Sequence, residues 1–177
     1  EIGEDLARAV FDAGFLMVVL ESRALSLVRV LRELGENFDA GRSYIVVSLD
    51  SSGLDFLIVR GGDLYFEYFN PWRDLMDDKG QISMPVFEAA VIRSLHQLLN
   101  FYSQHWQDRP KEVLLAATSF SQEVKKIVSE NFSLVVGDIM LRAGEEIGAE
   151  WFLALGCGLR GFKLRAKDKE MSLTGIG

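Results

Sequence analysis

Residues 43–69, SYIVVSLDSSGLDFLIVRGGDLYFEYF, decide the fold. Tyr44–Leu49 is apolar and β-branched, and Asp50-Ser51-Ser52-Gly53 reads as a turn. Leu54–Val59 is a second strand, Gly61-Gly62-Asp63 a second turn, and Leu64–Phe69 a third strand. Tight turns between such runs predict an antiparallel meander. Tyr65, Glu67 and Phe69 alternate with Leu64, Phe66 and Tyr68, so at least one face of the third strand is buried.

Downstream, Asn70–Pro85 is punctuated by Asn-Pro, Asp-Asp-Lys-Gly and Met-Pro, with room for one helical turn at Trp72, Leu75 and Met76. Pro85 then opens a long helix, Val86–Gln107, at a position where its missing N–H costs nothing. Phe87, Val91, Leu95, Leu98, Leu99 and Tyr102 form its apolar stripe. Glu112–Ala117 is a buried, parallel-type strand. Thr118 or Ser119 is expected to cap a helix running to about Glu130, and Leu134–Val136 to form a short strand. A last helix is expected over Glu145–Gly156, ending in Cys157-Gly158-Leu159-Arg160-Gly161. Upstream, the pattern gives a helix over Glu4–Ala13 ended by Gly14, a strand at Phe15–Leu20, and a helix over Ser22–Leu34 with Leu25, Val28 and Leu31 inward. From Tyr44 the order is β-β-β-α-β-α-β-α. The expected fold class is α/β with a mixed, ribonuclease H-like sheet, because parallel crossovers need intervening helices and these have the right lengths.

Bulk properties narrow the function. With 177 residues, 49% hydrophobic and 25% charged, the chain is long enough to bury a core. A net charge of −7 argues against a nucleic-acid surface, which needs clustered Lys and Arg. Cys157 stands alone, which excludes an internal disulfide. No run approaches the roughly 18 apolar residues of a membrane span. The chain opens on Glu1 and closes on Thr174-Gly175-Ile176-Gly177, as expected of a piece of a longer protein.

Five stretches carry a family likeness: Phe11–Phe15 with Leu20–Leu25; Leu49–Gly53; Val91–Leu95 with Tyr102; Glu112–Leu115; and Leu153–Gly161, LALGCGLRG, the most specific. Together they resemble the actin-like ATPase superfamily and, within it, the PilM-type proteins of type IV pilus assembly and their relatives in type II secretion. The resemblance implies a division into residues 1–42, the remnant of a first actin-like domain; 43–162, a second, ribonuclease H-like domain; and 163–177, a tail. It also implies a nucleotide cradle, with Asp50, Gly53, Thr118 and Ser119 as the residues that would contact ATP and its magnesium.

The departures from that pattern decide the functional expectation. The phosphate turn of the superfamily uses a glycine so that backbone N–H groups approach the anion, and a carboxylate that holds the metal's water shell. Asp50 is retained, but Ser52 takes the glycine position, Gly53 falls one place late, and Phe56 stands where a hydroxyl is expected. The second turn, normally glycine-rich, reads Ala116-Ala117-Thr118-Ser119-Phe120. The first phosphate loop is expected before Glu1, and the helical lobe that covers the nucleotide is replaced by the short Asn70–Pro85 connection. These losses predict no cofactor and no ATPase chemistry. The implied role is a scaffold on the cytoplasmic face of the inner membrane, with a membrane-anchored, PilN-like tail as partner and self-association as a second contact. Met171–Thr174 is similar to such a tail, which implies a fused chain with a membrane span beyond Gly177. Two alternatives stay open: a nucleotide-binding ATPase with degenerate loops, and a nuclease or sugar kinase fragment in which Asp50 and Glu88 supply carboxylates.

The remaining candidates have plain structural readings. Asp50 and Ser51 suit an Asx-type turn. His96 and His105, nine residues apart in one helix, face opposite sides and cannot share a metal. His105 suits contact with free carbonyls of the last turn. Cys157 reads as a small buried residue. Tyr65, Tyr68, Phe69 and Trp72 read equally as a partner patch or as core.

Overall fold

The computed structural model describes residues 2–14, 21–142 and 147–161. The expected strand at Phe15–Leu20 and the tail from Lys163 onward lie outside them. Three strands follow in a meander as the turns dictate: β1 (Ser43–Leu49), β2 (Gly53–Arg60) and β3 (Asp63–Pro71), paired antiparallel. Gly61 and Gly62 hold φ of 62° and 80°, the left-handed pair that a tight hairpin requires. β4 (Glu112–Ala117) lies parallel to β1, and β5 (Val135–Asp138) parallel to β4, completing a five-stranded sheet in the order β3-β2-β1-β4-β5.

Helices cover both faces. α3 (Met84–His105), with Pro85 in its first turn, and α4 (Ser121–Asn131) pack on one face. There Ile45, Val47, Phe56 and Ile58 meet Phe87, Val91, Leu95, Leu98 and Val124. On the other face, Val46, Leu57, Val59 and Leu114 meet α2 (Arg23–Leu34) and Phe152 of α5, which spans residues 152–161. Burial on both faces is why β1 and β2 read as continuous apolar runs. At roughly 1.5–3 kcal/mol for each fully buried large apolar side chain, these two layers carry most of the fold's stabilisation. β3 is an edge strand and keeps the alternation seen in its sequence, with Tyr65 and Phe69 exposed and Tyr68 half-buried.

Several local expectations shift. α1 (Ile2–Asp12) is closed by Gly14, whose N–H donates to the Phe11 carbonyl. In α2 Ala24, Leu27, Val28 and Leu31, an i, i+3, i+4, i+7 set, are buried together with Ser26 and Val30, and Leu25 is exposed. Trp72–Leu75 forms the expected single turn. Thr118 and Ser119 do not cap α4; the preceding residue is Phe120 in a left-handed conformation. Gly156 and Gly158 do not end a helix: with Cys157, which is exposed and not buried as expected, they lie inside α5. Met84 and Val135 begin their elements within two residues of the expected starts.

Candidate functional site

In a sheet of this kind the ligand position lies beyond the carboxyl ends of the parallel strands. β1 ends at Leu49 and β4 at Ala117, and the Thr118 N–H and hydroxyl both reach back to the Leu49 carbonyl at 3.2 Å. The cavity that opens there, of about 580 Å³, is lined by Asp50, Ser51, Thr118 and Ser119, walled by Trp72, Phe120, Met76, Ile82 and Leu153, and edged by Glu150. Three of the four residues expected to meet a nucleotide therefore come together. Gly53 does not line the cavity. A side chain there would strike the Asn70 carbonyl oxygen at 2.2 Å, so its small size serves the approach of β2 to β3.

The polar groups at this end of the sheet are already engaged. The Asp50 carboxylate accepts the Ser52 N–H at 2.7 Å, the expected Asx turn. It also accepts Arg23 Nη1 at 2.9 and 3.1 Å, while Arg23 Nη2 donates to Asp55 at 2.5 Å. The same guanidinium stacks on Phe69, 4.8 Å from the ring centre. Asp55 is 5% exposed, and its second oxygen has no hydrogen-bond partner. Burial pushes its pKa up to about 6; Arg23 opposes that shift, and the charges of Glu67 and Asp50 add to it. Arg23 was not legible as a site residue, since it stands 27 and 32 positions from its acids. One signal was present: a cation in the first turn of a helix opposes the macrodipole unless acids compensate it.

Because the carboxyl of Asp55 ionises with difficulty in the folded chain, it works against stability as pH rises from the ordinary 3.8 through about 6. Asp55→Asn is therefore expected to gain about 2 kcal/mol relative to the parent between pH 4 and pH 7.5. Denaturant melts of both proteins at the two pH values check this. A difference that does not change with pH contradicts it.

The second bend is closed by aromatic packing. Phe120 has φ 56° and ψ 22°, a conformation that costs a non-glycine residue about 1 kcal/mol or more. Its ring offsets this by packing 5.8 Å from Trp72 and 5.3 Å from Phe87. Trp72 stacks on Phe87 and donates its indole N–H to the Asp50 carbonyl at 2.7 Å.

α5, which supplies Leu153, is fixed to α2 by a separate cluster. Glu21 accepts both guanidinium nitrogens of Arg29 at 2.7 Å, the Ser26 hydroxyl at 2.7 Å, and Arg160. Arg29 also donates to the Gly156 carbonyl at 2.7 Å. The Arg29 hydrogen bonds lead in pulling Glu21 down to about 2, against the opposing effect of burial. Cys157 Sγ lies 3.5 Å from the Ser26 hydroxyl. His105 Nδ1 lies 2.7 Å from the Phe101 carbonyl oxygen, as its place in the last turn predicts, and His96 rests on Phe132. Among the described residues no group of three or more His, Cys, Asp or Glu is placed to hold a metal, and no helix is long and apolar enough to cross a membrane.

The same architecture occurs in solved structures. A PilM-PilN type IV pilus biogenesis complex superposes with a TM-score of 0.61 at 17% identity, over 86% of this chain and 55% of that one. The chain has the actin-like ATPase fold. The ethanolamine utilization protein EutJ from Carboxydothermus hydrogenoformans shares the actin-like architecture at a TM-score of 0.50 and 14% identity, over 83% of this chain and 56% of that one. The inorganic polyphosphate/ATP-glucomannokinase of Arthrobacter sp. strain KM matches at 0.50 and 12%, over 85% and 58%. The chain thus spans little more than half the length of these structures. No family model and no curated protein matches the sequence.

The residues present do not fit the magnesium nucleotide of that fold. Among the described residues two carboxylates, Asp50 and Glu150, and no lysine or arginine line the cavity. Asp50 is held by a resident guanidinium where a metal's water shell would sit, and the Ser52 N–H points to Asp50, which takes it from any phosphate. Phe120 and Trp72 occupy the bend where small residues let a purine approach.

Proposed function

We propose that this chain is a non-catalytic scaffold on an actin-like framework, working by holding partner proteins. The observation that carries the reading is the Arg23 bridge between Asp50 and Asp55, which puts a fixed internal cation where the fold would place a metal-bound nucleotide. A preformed ion pair at that point must be broken before Asp50 can hold a metal's water, and the partly buried acid left behind would lack its counter-charge. Similarity to a PilM-PilN pilus complex supports the choice of partner: a PilN-like tail of a membrane-anchored pilus or secretion protein, met at the cytoplasmic face of the inner membrane. Residues 1–42 are then the end of a first actin-like domain and 43–162 the second, with self-association as a further contact.

One observation favours the alternative of a degenerate nucleotide site: Asp50, Thr118 and Ser119 do share one cavity. Titration calorimetry with Mg-ATP separates the two. The scaffold reading expects no saturable heat in the parent protein. Micromolar binding overturns it, and tight binding that appears with Arg23→Ala would place the block at the ion pair.

A further inference from the structure

We infer that the cavity between β1, β4 and α5 is a receptor for an arginine side chain presented by a partner polypeptide, held between aromatic faces and carboxylates. The inference rests on the reading that this cleft no longer takes a nucleotide, and it names the chemistry the cleft is built for instead.

Charge is the first ground. Asp50 lines the cavity and shares Arg23 with the buried Asp55, which does not line it; the three carry net charge −1 when both acids are ionised. Glu150 adds a second negative charge to the lining, and it has no ion pair or hydrogen bond among the described residues. Among the described residues no cationic side chain lines the space to balance it. The whole chain, at −7, attracts a basic segment at longer range.

The walls are the second ground. Trp72 and Phe120 stand with ring centres 5.8 Å apart and both line the cavity. The indole N–H of Trp72 is tied to Asp50, and Phe87 stacks on its ring, so its orientation is fixed before any ligand arrives. A planar guanidinium is weakly hydrated and stacks on such rings, with a carboxylate at its edge accepting its N–H groups. Met76 and Leu153 add apolar surface suited to the three-methylene stem. A phosphate would meet two acids here. The cavity, at about 580 Å³, exceeds one side chain, which suits an arginine carried on a segment with an apolar neighbour.

The test follows the Trp72 indole N–H signal in proton–nitrogen correlation spectra of the whole chain, assigned with Trp72→Phe. The probes are N-acetyl-arginine amide and N-acetyl-citrulline amide, which share their shape and differ in charge, with Mg-ATP as a third. The arginine probe is expected to move the Trp72 signal saturably. Binding is expected to be about five-fold weaker for the citrulline probe and about five-fold weaker in Glu150→Gln. Glu150 is exposed and has no partner among the described residues, so this variant leaves the fold intact. A Trp72 signal unmoved by the arginine probe, equal binding of citrulline, or no effect of Glu150→Gln overturns the inference. Saturable movement by Mg-ATP overturns the scaffold reading itself, whereas silence from all three probes retires the arginine receptor alone.

Discussion

Replacing Gly156 with valine is expected to remove most of the packing between α2 and α5. A Cβ at this position would lie 2.2 Å from the Ser26 carbonyl oxygen and 2.9 Å from its Cα, and both atoms are backbone of a neighbouring helix. No rotamer relieves such a contact; the helices must separate. Separation opens the back layer around Ala24, Leu27 and Phe152 and breaks the Arg29 bond to the Gly156 carbonyl. Overpacking in a rigid setting costs about 1–3 kcal/mol for a methyl group, so Gly156→Ala should lose about 3 kcal/mol, roughly 6–12 °C in midpoint, and valine more. Gly158, two positions along the same helix, gives the contrast. A Cβ there meets nothing within 4 Å, so Gly158→Ala should be neutral or gain up to about 1 kcal/mol from helix propensity. Thermal melts of the three variants check the prediction. Equal effects at 156 and 158 would show that α2 and α5 do not approach as described.

Removing the Glu21 carboxylate carries the second large effect. Glu21→Ala leaves Arg29, 13% exposed, and Arg160, 38% exposed, facing each other without a counter-charge. The cost of breaking a buried pair is about 3–5 kcal/mol. The exposure of Arg160 screens part of it, so the expected loss is about 2–3 kcal/mol. The pH dependence has a definite sign. Glu21 is held at about 2 against an ordinary 4.5, so its contribution is complete above about 4.5 and declines as pH falls through about 2. The gap between Glu21→Ala and the parent should therefore be widest near neutrality and shrink toward pH 2. Chemical denaturation at pH 7, 4 and 2.5 measures it. A gap constant across that range would mean that the carboxylate is not what holds the helices.

The framework was legible because its signals are local. The Asp50–Gly53 and Gly61–Asp63 turns between apolar runs specify the hairpins of residues 43–69, and Pro85 with its apolar stripe specifies α3. Crossover helices of adequate length specify the parallel strands. The Glu21 cluster between α2 and α5 was not legible, although Glu21 and Arg160 stand in stretches that resembled the actin-like pattern. Glu21 and Arg160 meet across 139 positions, and nothing in either neighbourhood signals the other. Gly156 illustrates the ambiguity of glycine. In sequence it suggests a helix end, whereas in the fold it lies within a helix that another crosses at contact distance. The site was half legible. Asp50, Thr118 and Ser119 were placed by their positions after strands, while Trp72, Phe120, Glu150 and Arg23 enter it through tertiary packing. Phe120 in particular takes a backbone conformation that its residue type disfavours, which local propensity cannot foresee.

The central claim is that a guanidinium has replaced the nucleotide's metal at the end of this actin-like sheet. Its most direct test is a crystal structure of the protein grown with magnesium and a non-hydrolysable ATP analogue. The expected result is Arg23 still bridging Asp50 and Asp55, with the Trp72 and Phe120 rings in contact and no triphosphate at Ser51 and Ser52. A bound analogue with Asp50 turned to its metal and Arg23 released would contradict it.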